Sequence, residues 1–253
     1  MSFDADRASE SAGVSGQIVT VSFFRFEGLG AKLWAFAQMG LARAPLRDVP
    51  ELGFFKLMGG GTGEGFTPIP DTGLVTILTT WPDLPTARYQ LAEAPVFRRY
   101  HAHASESWTV HLRPVQSRGA WSWKMPFRDF APAGPGPVAA LTRATIRPAI
   151  LLRFWARVPD ISRAIGSDPN VLFKQGVGEV PWLHQVTFSI WPNVAAMSEF
   201  ARAGGPHAKA IKAVREGDWF SEELYARFTV VASEGSWKGA DPLAGHPLAV
   251  AAE

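Results

Sequence analysis

Apolar and polar positions alternate with two periods along this chain. Residues 18–26 (IVTVSFFRF) are β-branched and aromatic and read as a strand. Residues 32–43 switch to helical spacing: Leu33, Phe36, Ala37 and Gly40 share a face, and Pro45 stops the run. Residues 53–57 form a second strand that enters a glycine-rich stretch, 59–66, read as a wide turn. Residues 74–81 (LVTILTTW) are a third strand, 83–99 are mostly helical with Pro95 interrupting, and 108–115 are a fourth strand. The order β-α-β-β-α-β is that of a ferredoxin-like unit.

The order then repeats. After the Pro/Gly-rich stretch 131–137, strands are predicted at 138–146, 171–174, 184–191 and 224–232. Helical pieces are predicted at 148–165, 193–201 and 206–216. Three anchors lay one half over the other: Phe55-Lys56 on Phe173-Lys174, Trp81-Pro82 on Trp191-Pro192, and Gly119-Ala120-Trp121 on Gly235-Ser236-Trp237. The expected organisation is a lead-in (1–17), a first repeat (18–130), a linker (131–137), a second repeat (138–238) and a tail (239–253). The fold class expected is α+β: two fused ferredoxin-like repeats forming a pseudo-dimeric α/β barrel. Each sheet covers one face with its own helices, so the other faces meet, with a cavity expected between them.

Composition narrows the chemistry. The 253 residues carry a formal net charge of +2 and contain no run of five like charges, so nucleic acid is not an expected partner. With no cysteine, thiolate ligation and disulfides are excluded. Any metal must be held by His, Tyr, Met, Asp or Glu. Ten Trp and 17 Phe either fill a core or line a cavity for a large apolar ligand. The chain has no long apolar run and its first seventeen residues lack a signal-peptide core, which points to the cytoplasm.

His207 follows Pro206, a residue suited to the first turn of a helix. It heads a face shared with Ala210, Ile211 and Val214. The positive end of a helix disfavours imidazolium, so the ring is either a neutral metal ligand or a core histidine bonded to a carbonyl. Its counterpart in the first half is Val96, as a single site per chain would give. His101, His103, His111, His184 and His246 read as ordinary histidines, with His111 and His184 the best rivals. The glycine-rich stretch lacks the spacing of a nucleotide loop. On the strands, Leu141, Arg143 and Thr145 share one face, and Gln185, Thr187 and Ser189 share another. If these faces line the cavity, Arg143 and Ser189 are placed to steer a bound oxygen species; if they face water, they are solvated. Lys56 and Lys174 lie on matching strands, where a cation can pair with carboxylates such as haem propionates.

Several segments resemble the spheroidene monooxygenase family, the acyclic carotenoid 2-ketolases. They include Phe54-Phe55-Lys56-Leu57, Thr80-Trp81-Pro82-Asp83-Leu84, Asp168-Pro169-Asn170-Val171-Leu172-Phe173-Lys174, Gln185-Val186-Thr187-Phe188-Ser189-Ile190-Trp191-Pro192 and Gly205-Pro206-His207-Ala208. The resemblance spans about residues 18–242. It implies a haem-dependent monooxygenase that oxidises an acyclic carotenoid at C2 through a hydroxyl to a ketone, using O2 and reduced ferredoxin. It also implies peripheral contact with the inner or intracytoplasmic membrane. The Trp-Pro and Pro-His segments resemble, over a shorter stretch, the haem-ligating region of aldoxime dehydratases. That carries a proximal ligand to haem b onto His207 and nothing else. Lys174 and Ile211 are expected beside such a cofactor, and strand alternation puts Arg143 or Ser189 on its open side. A haem-dependent dehydratase, a haem- or carotenoid-binding module and a cofactor-free monooxygenase are the alternatives.

Overall fold

The computed structural model describes residues 15–62, 67, 69–156, 170–202 and 217–249. The first half contains β1 (Ser15–Arg25), α1 (Gly28–Leu41), α2 (Arg43–Arg47), β2 (Phe55–Gly61), β3 (Pro70–Asp83), α3 (Leu84–Glu93), α4 (Pro95–His103) and β4 (Glu106–Gly119). The second contains β5 (Val138–Ile146), a short 3-10 turn (Pro148–Ile150), β6 (Phe173–Gly178), β7 (His184–Trp191), α5 (Val194–Arg202) and β8 (Phe220–Gly235). The strands close into one antiparallel barrel in the order β1-β3-β2-β6-β7-β5-β8-β4. Each half contributes a four-stranded sheet of ferredoxin-like order, as expected. Trp81 on β3 and Trp191 on β7 occupy equivalent strands, opposite Ile18 and Val138.

Local chemistry explains the helical boundaries. The Asp83 carboxylate accepts the Thr86 backbone N–H at 2.8 Å and caps α3. Ala94, forced extended by the following proline, ends that helix, and Pro95 opens α4. The helix α1 departs from expectation. Its predicted stripe faces water: Leu33 and Phe36 are 60% and 75% exposed, while Ala31, Trp34, Ala35 and Met39 pack on the sheet. Both faces of this helix are apolar, so periodicity alone does not select the inner one.

The barrel interior also departs from expectation, because it is full. Phe23, Trp108, Phe173, Phe188 and Trp237 meet at its centre, with ring centroids from 4.5 to 6.2 Å apart along their contacts. An eight-stranded barrel is just wide enough for side chains to fill. The expected cavity between the inner faces is occupied by protein.

Two seams join the halves. Along the long one, β4 pairs with β8 from Trp108↔Gly235 to Gly119↔Leu224. Gly119 and Gly235 sit at φ +93° and +92°, and a Cβ at either would collide with the carbonyl of Glu223 or Ser107. Each glycine leads into the same turn. Glu222 accepts the N–H groups of Ser122 and Trp123, and Glu106 accepts those of Lys238 and Gly239. The short seam is made by glycines: Gly59 and Gly60 pair with Gly178 and Val177. The stretch read as a turn therefore continues β2 to Gly61 before residues 63–66 and 68, which lie outside the described residues.

Gly235, in the long seam, and Gly239, in the turn that follows it, give a test. Gly239→Ala, at φ +81° in open space, should cost only the left-handed backbone, about 1 kcal/mol. Gly235→Ala should cost clearly more, because the carbonyl of Ser107 must move as well. Equal urea midpoints for the two variants would contradict this account of the seam.

Candidate active site on the outer face of the second sheet

Because the inner faces form the core, the layers between each sheet and its own helices are where the two halves are compared for ligand space. In the first half that layer is closed. Ile18, Phe24, Leu57, Val75, Ile77 and Trp81 are buried against the helices. The equivalent layer of the second half is built differently. Its floor is read from the strand registers: Lys174, Ser189, Ala140 and Arg227 form one row, and Gly176, Thr187, Thr142 and Tyr225 the next. With Trp81 matched to Trp191, Phe24 corresponds to Ala144, Leu57 to Gly176, Ile77 to Thr187 and Phe55 to Lys174. Large apolar side chains in one copy are small or polar in the other. Ala140, Thr142, Ala144, Thr187 and Gln185 are accordingly half-buried, while β1 from Ile18 to Phe24 and β3 from Leu74 to Trp81 are buried on both faces.

The same register corrects one anchor by a residue. Phe55 matches Lys174 and Lys56 matches Gln175, so the two lysines lie on opposite faces. Lys174 belongs to the floor, opposite Ser189. Ser189 is buried, and its hydroxyl accepts the Trp191 indole N–H at 3.0 Å. Its own proton remains available to a group above the floor.

Arg143 is not on this floor. It points into the barrel mouth, 2% exposed, where it pairs with Glu222 and lies over the Trp121 ring at 5.9 Å. Lys56 joins it there, donating to Glu179 Oε1 and Ser122 Oγ, both at 2.6 Å. Glu179 Oε2 accepts the Trp121 indole N–H at 2.6 Å and lies 3.8 Å from His184 Nδ1. Arg143 and Ser189 thus occupy opposite faces of one sheet and do not share a site. At the mouth, burial lowers the His184 pKa more strongly than nearby Glu179 raises it. Burial raises the Glu222 carboxyl, but the N–H of Trp123, the charge of Arg143 and the N–H of Ser122 together hold it below its ordinary range. No linear motif marks this cluster, since its members come from five separate segments.

The described histidines do not reach the floor. His184 lies on the inner face of β7, His111 is on β4, His101 and His103 are on α4 of the first half, and His246 is in the segment after β8. Among the described residues no group of three His, Asp or Glu is arranged to hold a metal ion. His207 and Ile211 lie outside the described residues.

No family model matches the chain. It is 49% identical to spheroidene monooxygenase of Rhodobacter capsulatus over 91% of its own length and 97% of that protein. It is 50% identical to the enzyme of the same name from Cereibacter sphaeroides, over 90% and 71% of the two chains. The chain belongs to the spheroidene monooxygenase family. A more distant member, from Rubrivivax gelatinosus, is 35% identical over 83% and 80%. Among solved structures, an aldoxime dehydratase aligns with a TM-score of 0.57 at 9% identity, over 90% of this chain and 82% of that one. A second, in complex with butyraldoxime, gives 0.56 at 8%, over 86% and 82%. These two share the fold of this spheroidene monooxygenase family member.

Glu222→Gln tests the mouth cluster. It leaves a buried guanidinium without its counter-charge, which should cost about 3–5 kcal/mol in urea unfolding. The carboxyl is held below its ordinary value of 4.5 in the folded chain. Its contribution is therefore complete above that value and fades as pH falls through the lowered one. The variant should lose this part of the acid sensitivity. Wild-type stability and pH dependence in the variant would show that the pair contributes nothing.

Proposed function

We propose that this chain is a haem-dependent monooxygenase that oxidises an acyclic carotenoid at C2, first to an alcohol and then to a ketone. The observation that carries the reading is the reduced floor of the second sheet in a chain of the spheroidene monooxygenase family. A flat group needs a wide, shallow space, and Ala140, Ala144, Gly176 and Thr187 leave one where the first half has filled it. The floor fits haem b in this respect. The described floor offers no imidazole, and His207, outside the described residues, is the residue that would hold the iron. Lys174, at one end of the row, is a cation suited to a propionate. Ile211 is proposed as an apolar contact of the same group.

Acid–base residues alone do not suit this substrate, because a polyene has no acidic proton to remove. Haem, when bound, supplies the activation of O2 that such a C–H bond requires. The protein's part is to bind, orient and keep water out. The Ser189 proton, with those of Thr142 and Thr187, is proposed to orient an oxygen-bearing group over the floor. Each oxygenation consumes one O2, two electrons and two protons, one oxygen atom leaving as water. A second oxygenation at the same carbon gives a gem-diol, which loses water to become the ketone. Reduced ferredoxin is the proposed source of electrons. Arg143, committed to Glu222 on the other face, is proposed to position the strand and not to meet the substrate.

Apolar substrate implies a membrane source. Among the described residues no helix is long and apolar enough to cross a bilayer. We therefore propose peripheral contact, with the chain on the cytoplasmic side of the inner or intracytoplasmic membrane.

Two experiments test this reading. Purified protein should show an intense Soret band, lost or shifted in His207→Ala and recovered with added imidazole; full haem loading in that variant would turn attention to another ligand. With O2, reduced ferredoxin and an acyclic carotenoid, the product should gain one oxygen atom and then lose two hydrogens. The floor has its own test. Ala144→Phe with Thr187→Ile carries the first-half side chains back into the second sheet. This variant should lose haem at least tenfold while its unfolding midpoint holds or rises. Normal haem loading would place the cofactor elsewhere.

A further inference from the structure

We propose that the barrel end carrying Trp123, Met125, Val180 and Trp182 is a docking face for an anionic lipid bilayer. The proposal rests on the carotenoid reading only for its purpose, since it names where the substrate comes from; the surface itself is argued from the fold. Trp123 is 84% exposed, Met125 83% and Trp182 55%. They sit at the tips of two turns, 121–125 and 179–183, that share one buried anchor. Lys56 bonds both Ser122 of the first turn and Glu179 of the second, and the Trp121 indole bonds Glu179. The exposed side chains are thus held side by side at one end of the molecule.

Their backbone makes the placement costly. Trp123 has φ +62° and Trp182 φ +68°. A bulky residue is a rare occupant of this left-handed region. The duplicated half shows what the turn itself requires. In the matching turn, capped by Glu106 as the first is by Glu222, the position of Trp123 is held by Gly239 at φ +81°. The turn is satisfied by glycine in one copy and carries a water-facing tryptophan in the other. Internal packing does not account for a side chain that packs on so little.

Charge and position identify the occupant. The exposed charge on the two turns is Lys124, between Trp123 and Met125, while the carboxylate of Glu179 is turned inward to Lys56. Tryptophan beside lysine suits the headgroup region, and a lysine near an anionic surface contributes about 1 kcal/mol. The face also runs into a narrow groove lined by Val180, Pro181, Trp182, Trp155, Gln185 and Gly176. Gln185 and Gly176 belong to the floor of the candidate site, so the groove connects the proposed bilayer contact with it.

The experiment uses the full chain with vesicles of phosphatidylcholine, with and without phosphatidylglycerol. Wild type should float with the anionic vesicles, and its tryptophan emission should shift to the blue. Trp123→Gly installs the residue of the matching turn. It should keep or raise the thermal midpoint while vesicle affinity falls at least fivefold, and Trp123→Gly with Trp182→Ser should abolish flotation. Leu33→Glu with Phe36→Glu, on the exposed stripe of α1, should bind as wild type does. Wild type that ignores both vesicles, tryptophan variants that still float, or loss of flotation in the α1 variant would overturn the proposal. So would a wild-type dimer that Trp123→Gly dissociates, since the occupant would then be a second copy. Turnover separates the two readings. Trp123→Gly should oxidise detergent-dispersed carotenoid as wild type does and slow at least fivefold on vesicle-borne carotenoid. Absent turnover in both, with flotation intact, would overturn the carotenoid reading and leave the docking face standing.

Discussion

The fold depends on one constraint, the closure of eight strands around a space that only side chains fill. Once Phe23, Trp108, Phe173, Phe188 and Trp237 occupy the centre, the inner faces of both sheets are core and nothing else. Burying aromatic residues of this size stabilises the fold by a few kcal/mol each. Opening a ligand cavity there would forfeit that contribution and leave voids the closed ladder cannot collapse. On the proposed reading, the ligand site is displaced to an outer face, between strand and helix. This is why alternation along β5 and β7 matters: one residue of register decides between core and candidate site.

Duplication then separates two tasks. The first repeat keeps Phe24, Leu57, Ile77 and Trp81 under α1, α3 and α4, and so carries the rigid layer. The second keeps Trp191 with Val138 and Met197 but thins the rest of its outer face. The long seam lets the thinned sheet share its barrel with the filled one, so the loss of packing on one face is not a loss of fold. The mouth cluster adds a second local asymmetry. Arg143, committed to Glu222, corresponds in register to Phe23 of the other copy, which packs against Trp237, the counterpart of Trp121.

Much of the fold was legible in the sequence because the duplication is written in residues with strict backbone or packing demands. Gly119 and Gly235 need their positive φ, and Trp81 and Trp191 reappear at the same strand end. The Phe-Lys anchor was legible only to within one residue, since a lysine on an inner face at a barrel mouth and one on an outer face look alike in a linear string. The orientation of α1 was not legible, because both of its faces are apolar. The floor was half visible: the alternation of Thr187 and Ser189 was plain, but which face they lined required the barrel to close. The Lys56–Glu179 and Arg143–Glu222 pairs could not be read at all, because partners so far apart in the chain leave no periodic trace.

The comparison of the two copies carries more functional information than either copy alone. A residue present in both repeats is explained by the shared fold, as with the Glu106 and Glu222 turns. A residue present in one, at a position whose partner shows what the backbone prefers, needs a cause outside the fold. Ala144 in place of Phe24 gives up apolar packing, and Trp123 in place of Gly239 accepts a left-handed backbone. Both changes act against local stability, and the groove from Trp182 to Gly176 connects the surface that carries one to the floor that carries the other. Stability given up at functional positions is a general trade-off, and on the proposed reading these two places serve an apolar molecule that passes from a bilayer to a buried site.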